Sequence, residues 1–250
     1  MEWTDEAIVL GVRKHGETTV IAELMTRDRG RHLGLVQGGR SRTMRPVLQP
    51  GNSVRVTWRA RLDEHLGQFR IEPERLRAAE LMENAHGIYA LQTLASHLRL
   101  LPERDAHMAL YETLSIVLDN LQAADIAAEL VVRFELAMLD ELGFGLDLSA
   151  CAATGTRQNL VYVSPRTGRA VSHEAGQPWA DRMLMLPSFL LERDLERLES
   201  ASLEDIEAGF ALTKHFFWRN IHGPRGIEIP PERESLLKAV TRLLKEGNIR

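Results

Sequence analysis

Nine arginines and a single acid, Asp28, lie between residues 27 and 61. The arginines are Arg27, Arg29, Arg31, Arg40, Arg42, Arg45, Arg55, Arg59 and Arg61. Nine cations less one anion give this window +8 in a chain whose formal net charge is −4. Residues 1–61 hold 11 Lys and Arg against 6 Asp and Glu, and residues 62–250 hold 20 against 29. Such asymmetry points to a polyanion meeting one end of the chain. Guanidinium groups suit that partner because they fork onto phosphates and stack on bases, which ammonium groups do not. Within the window, Gln37-Gly38-Gly39-Arg40-Ser41-Arg42-Thr43-Met44-Arg45 reads as a loop. Its paired glycines would allow the backbone close to a phosphate, and its three arginines could neutralise several phosphates in turn. Aromatic residues make up just 6% of the chain, so backbone electrostatics should outweigh base stacking. Weak sequence preference and a steep salt dependence are the expected signature.

Other chemistry is poorly represented. The sequence has no G-x-x-x-x-G-K-[ST], no H-E-x-x-H and no G-x-S-x-G, the phosphate-loop, zinc-protease and nucleophile-elbow patterns. Gly143-Phe144-Gly145 follows a helical stretch instead of opening one, which fits a helix end and not a dinucleotide site. The nine histidines are scattered, and neither His97 with His107 nor His215 with His222 has ligand-like helical spacing. Adjacent Ser172, His173 and Glu174 cannot line up as nucleophile, base and orienter. One cysteine, Cys151, excludes an internal disulfide. A zinc ribbon would place further cysteines where Thr154, Ser172 and Ala175 stand, so a buried, inert thiol is the expectation and no metal is assigned. Asp5, Glu6, Glu17, Glu23 and Asp28 lack the clustering that a magnesium-dependent nuclease needs. No catalytic residue and no cofactor are assigned.

These residues sit on two kinds of element. Segments 6–13, 17–26, 31–37, 53–60 and 66–72 are short, rich in Val, Ile, Leu and Thr, and separated by Gly-containing turns. They predict five antiparallel strands in a small barrel or sandwich. Val54, Val56, Trp58 and Ala60 alternate with Arg55, Thr57, Arg59 and Arg61, giving an apolar face backed by a charged one. From about residue 79 the apolar spacing turns helical, and it continues through 105–122 and 125–143, with Asp125 as a candidate cap. Residues 159–164 and 168–172 predict a hairpin. Helices return over 187–195, over 202–221 with Ser202 and Asp205 as a capping box, and over 231–247. The expectation is an α+β chain of two domains. Residues 1–76 form the barrel. Residues 77–250 form a helical domain with a small β-hairpin insertion, in a degenerate zinc-ribbon-like region at 149–180. No apolar run reaches the roughly 18 residues of a membrane span, and the acidic start lacks a signal-peptide pattern, which predicts a cytosolic protein.

Three blocks carry a family resemblance. Glu6-Ala7-Ile8-Val9-Leu10, Gly16-Glu17-Thr18, Thr26-Arg27-Asp28-Arg29-Gly30-Arg31 and Gly38-Gly39-Arg40-Ser41 resemble the amino-terminal barrel of the bacterial RecO family. Arg133-Phe134-Glu135-Leu136-Ala137-Met138-Leu139-Asp140-Glu141-Leu142-Gly143-Phe144-Gly145 resembles the helix before that family's zinc-binding region. Leu160-Val161-Tyr162-Val163-Ser164-Pro165 followed by Gly168 resembles its next strand. The resemblance implies an oligonucleotide-binding (OB) barrel followed by a helical domain. It implies binding of single- and double-stranded DNA, annealing of complementary strands, and help in loading RecA onto DNA coated with single-stranded-DNA-binding protein (SSB). RecR is the implied partner, with RecF as another. The implied location is the bacterial cytoplasm, at the nucleoid. Many members carry four zinc cysteines; here Cys151 alone remains. The residues at 222–231 are richer in proline and glycine than the basic loop expected there.

On this reading Lys14, Arg27, Arg29, Arg31, Arg40, Arg42, Arg45, Arg55, Arg59 and Arg61 run along DNA phosphates. Annealing then needs no catalytic residue, because neutralising two strands lowers their repulsion. Arg133, beside the apolar stripe through Phe134, is the expected rim cation for the acidic tail of SSB. Its other reading is a helix-surface ion pair with Glu129 or a neighbour of Glu135. The alternative for the whole chain is an RNA-binding barrel protein of translation or ribosome assembly.

Overall fold

The computed structural model describes residues 1–191 and 201–247. Two compact units divide the chain, Met1–Gln122 and Ala123–Arg250.

The first unit opens with β1 (Glu2–His15), β2 (Thr19–Thr26) and β3 (Gly30–Val36). A one-turn helix, α1 (Met44–Val47), precedes β4 (Ser53–Arg59) and β5 (Gln68–Arg75). The five strands close in the order β1-β2-β3-β5-β4. All neighbours are antiparallel except β3 and β5, which meet in parallel at Leu35 and Gln68. This is the five-stranded Greek-key closure of an OB barrel, as expected. Alternation places Val54, Val56 and Trp58 inside with Ala7, Val9, Val20, Ala22, Leu24, Phe69 and Ile71. Arg55 and Arg59 face outward. β1 is longer than its apolar run suggested, because a bulge between Val9 and Gly11 lets one strand pair along both β2 and β4.

Helices α2 (Ala78–Met82), α3 (Ala85–Leu98) and α4 (Met108–Asp119) follow within the same unit. The change from strand to helix falls near Arg75, yet the compact unit runs on to Gln122. Polar ties explain why. Arg77 is buried, donates to Gly51 O at 3.0 Å, and meets Asp119 at 2.9 Å. The Asn52 side chain accepts the Ala78 N–H at 2.9 Å and donates to Val47 O at 3.1 Å. Glu23 on β2 takes Arg99 at the end of α3 in a two-pronged contact, at 3.0 and 2.8 Å.

In the second unit α5 (Ala124–Glu141) packs with α7 (Leu203–Phe217) and α9 (Pro231–Gly247). Phe134, Met138, Ile206, Phe210, Phe217, Leu236 and Val240 are buried there. A buried ion pair joins the three helices. Arg233 on α9 meets Glu135 on α5 at 2.6 and 2.9 Å, and donates to Phe210 O and Thr213 Oγ1 on α7 at 2.8 and 2.6 Å. α5 ends in a Schellman motif: Phe144 N–H reaches Leu139 O at 2.7 Å, Gly143 N–H reaches Asp140 O at 2.9 Å, and Gly143 has φ +83°. Its amino end differs from expectation. Ala123 is the N-cap, and Asp125 sits in the first turn, where its charge favours the helix dipole.

Between α5 and α7 lie β6 (Leu160–Val163), β7 (Ala170–Ser172), the short α6 (His173–Gly176) and β8 (Leu184–Met185). The expected hairpin is present, and β8 extends it to a three-stranded sheet, β7-β6-β8. A two-residue strand has too little pattern to read from sequence. Of the helix expected over 187–195, a single 3-10 turn is found at Ser188–Leu190, and residues 192–195 lie outside the described residues. Ser202 caps α7 by accepting Asp205 N–H at 3.0 Å. The reciprocal half of the box is replaced: the Asp205 carboxylate takes Ser188 Oγ and N–H at 2.8 and 3.1 Å. α7 runs into a π-turn at Trp218–His222 and a single turn, α8 (Gly223–Arg225), so the helix continues past 221 as a different winding.

Candidate nucleic-acid interface

The arginine window does not form one face. Strand register sends its members to two ends of the barrel and gives them different company. At one end Lys14 pairs with Val20, and Val20 with Val36, so the loop after Val36 starts beside Lys14. The Arg40 N–H donates to Thr18 O at 3.2 Å, and its guanidinium donates to Glu17 O at 2.5 Å. These bonds pin the loop to the β1–β2 turn. Ser41 O then accepts the Arg45 N–H at 3.0 Å, which starts α1. Lys14, Arg40, Arg42 and Arg45 are all exposed. Among the described residues, none of these four nor Arg61 is in an ion pair with a carboxylate. Lys14, Arg40 and Arg45 border a groove of about 430 Å³ whose apolar lining is Val12, Val20 and Leu48.

The paired glycines play a different part from the one expected. A Cβ on Gly39 would stand 2.4 Å from Val20 Cγ2, so this glycine lets the loop settle on the barrel core. Gly38, with φ +66° and open space around it, is the one whose backbone is accessible.

Towards the other end the arginines are neutralised. Arg59 lies opposite Glu2 in the β1–β4 ladder and meets it at 2.8 Å. Arg55 lies opposite Glu6 and meets Glu74 at 2.9 Å. Arg27 meets Glu112 at 3.2 Å and Glu6 at 3.8 Å. The Arg31 side chain is 12% exposed and meets Glu23 at 3.0 Å. Arg29 stands over the Trp3 ring at 5.1 Å. Trp3 in turn belongs to an aromatic cluster with Trp58, Phe69 and the buried His32. Burial there holds the His32 imidazole at about 4, well below its ordinary 6.5.

Arg133 on α5 is one-quarter exposed and engaged. It meets Glu129 at 3.0 Å, donates to Phe189 O, and lies over the Phe189 ring at 5.9 Å. The i,i+4 contact is the ion pair read as its alternative in the sequence.

The zinc-ribbon-like segment does not fit a zinc ion. Among the described residues no group of three or more His, Cys, Asp or Glu side chains could hold a metal. Cys151 is buried, and the Ser172 N–H and hydroxyl donate to its sulfur at 3.2 and 3.4 Å. Burial raises the thiol pKa. The hydroxyls of Ser172 and Thr154 and the N–H groups of Ser172 and Ala153 lower it by more, to about 6. Serine and threonine donors thus stand where further ligands would be. Among the described residues no helix is long and apolar enough to cross a membrane.

Comparison with known proteins agrees with this architecture. The family model described as "Recombination protein O N terminal" matches residues 1–75, and "Recombination protein O C terminal" matches residues 81–226. A protein of Mesorhizobium japonicum named DNA repair protein RecO is 61% identical over 240 residues, which is 96% of this chain and 94% of the relative. Proteins of the same name from Rhizobium etli and Agrobacterium fabrum are each 57% identical, over 99% and 98% of this chain and 96% and 95% of their own lengths. Both halves of the chain are matched in order and almost throughout, and the chain belongs to the RecO family of DNA repair proteins.

Proposed function

We propose that this chain is a recombination mediator that binds single- and double-stranded DNA and anneals complementary strands. The reading rests chiefly on one observation: four exposed cations without a carboxylate partner among the described residues, Lys14, Arg40, Arg42 and Arg45, stand at one end of a closed barrel, and three of them, Lys14, Arg40 and Arg45, border a groove. Each is free to take a phosphate without first giving up an ion pair. Arg29, over Trp3, and Arg61, which follows Ala60 beside Met1, belong to the candidate set at the other end of the barrel, also without a carboxylate partner among the described residues. Arg27, Arg31, Arg55 and Arg59 belong to the candidate set but contribute less, because DNA must compete with Glu112, Glu23, Glu74 and Glu2 for them. Annealing follows from charge neutralisation and needs no catalytic group, so the protein acts without turning over a substrate.

With RecR, and with RecF where present, it would help RecA onto SSB-coated DNA in the bacterial cytoplasm, at the nucleoid. For the acidic tail of SSB, Arg133, one-quarter exposed, is the proposed rim cation. The test is a strand-annealing assay with labelled complementary oligonucleotides. Wild-type protein should accelerate annealing, and Lys14→Ala/Arg40→Ala/Arg42→Ala/Arg45→Ala should lose most of that effect. Absence of DNA binding at low salt would overturn the reading. Cleavage of DNA with magnesium that tracked the protein would overturn the non-enzymatic part.

A further inference from the structure

The groove among Lys14, Arg40 and Arg45 has a second property that charge alone does not require. Its apolar surface comes from three different elements. Val12 and Lys14 are two residues apart on β1, and therefore share a face. Val20 on β2 and Leu48 after α1 lie beneath, each 3% exposed. Val12 is 40% exposed, an apolar side chain open to water among cations. A groove built for phosphates alone has no use for such a lining, since phosphates keep their hydration and gain nothing from aliphatic carbon. A nucleobase has a flat, weakly hydrated face that does gain.

We propose that this groove seats one unpaired base of a single strand on Val12, Val20 and Leu48, while Lys14, Arg40 and Arg45 hold the flanking phosphates. The proposal rests on the nucleic-acid reading above and deepens it by naming what the site distinguishes. In a duplex the bases are stacked and paired, so their faces cannot reach the lining and the cations alone engage. In a single strand one base can turn in. Among the described residues Gln49 is the one neutral polar side chain of the lining, and a single amide cannot match the edges of four different bases. One of its N–H groups donates to Arg45 O at 3.0 Å, which anchors it at the groove wall. The seat therefore accepts any base and reads strandedness, not sequence.

The test uses the full chain and two labelled oligomers of equal length and equal phosphate count, oligothymidine and the same backbone with abasic sites. Wild-type protein should bind oligothymidine about fivefold more tightly, on the order of what removing roughly 40 Å² of apolar surface from water contributes. Val12→Ser keeps the charges and changes an exposed side chain. It should bring that ratio below about twofold while leaving abasic binding and its salt dependence as they were. Equal wild-type binding of both oligomers, with a steep salt dependence for each, would overturn the base seat and leave the phosphate reading standing. A fivefold preference unaltered by Val12→Ser would also overturn it, placing base recognition elsewhere. Failure to bind either oligomer at low salt would overturn both.

Discussion

Replacing Lys14, Arg40, Arg42 and Arg45 together by alanine should flatten the salt dependence of single-strand binding, whereas replacing Arg55 and Arg59 should barely alter it. Each phosphate neutralised on a single strand adds about −0.7 to the slope of log affinity against log salt. Four unpaired cations therefore account for a slope change of about 3, or roughly a 50-fold affinity loss between about 50 and 200 mM salt. Arg55 and Arg59 already face Glu74 and Glu2 at 2.9 and 2.8 Å. A phosphate that takes either guanidinium frees a carboxylate nearby, so the net charge gained is small, and the slope should change by less than about 1. Fluorescence anisotropy of a labelled single strand across a salt series measures both variants. The four substituted side chains are exposed, and the structural bonds at risk are those of Arg40 to the Glu17 and Gly16 carbonyls. Their loss costs about 1 kcal/mol and is checked by thermal unfolding. Equal slope changes in the two variants would refute the reasoning, because net charge and not ion-pair status would then govern binding.

Three further outcomes follow from the buried polar groups. His32 titrates near 4 in the fold and near 6.5 in the unfolded chain. The unfolded state thus binds the extra proton between those values, and stability should fall by about 3 kcal/mol as pH drops through that window. Urea unfolding should show this slope in the wild type and lose it in His32→Phe. Arg233→Met removes the cation that neutralises buried Glu135 and should cost about 3–5 kcal/mol, while Glu135→Leu/Arg233→Met should recover much of that loss. Chemical denaturation of both variants decides it, and equal destabilisation would count against the ion-pair argument. Ser172→Ala deletes a hydroxyl donor to Cys151 and should raise the thiol pKa above about 6, read from ultraviolet thiolate absorbance against pH.

The barrel was legible in the sequence because its signals are local. Alternation in Ser53–Arg59 and Gly-containing turns between short apolar runs fix strands whatever their neighbours. The Schellman end of α5 and the Ser202 cap are local in the same sense. What sequence reading missed is long-range. β8 is two residues long and exists through pairing with Tyr162 and Val163. The membership of α2–α4 in the first unit depends on Arg77, Asn52 and Glu23 finding partners 26 to 76 residues away.

The same distinction governs the arginines, and it explains why summing charge over a window overcounts the cations that lack a carboxylate partner. Within 27–61 the sum is one-sided, but the neutralising acids come from outside it: Glu2 and Glu6 from β1, Glu23 from β2, Glu74 from β5 and Glu112 from α4. Register selects them. β1 is polarised along its length, with Glu2, Asp5 and Glu6 at its start and Arg13, Lys14 and His15 at its end. Antiparallel pairing sets Arg59 and Arg55 against the acidic start. It sets Val20 and, through β3, the 37–45 loop against the basic end. Glu17 is the acid of the β1–β2 turn, and none of Lys14, Arg40, Arg42 and Arg45 is in an ion pair with it. Reversing the polarity of β1 would exchange the two ends without altering the composition of the window. Which cations stay without a carboxylate partner is therefore set by the charge order along one strand and its register, and a count of arginines is blind to both.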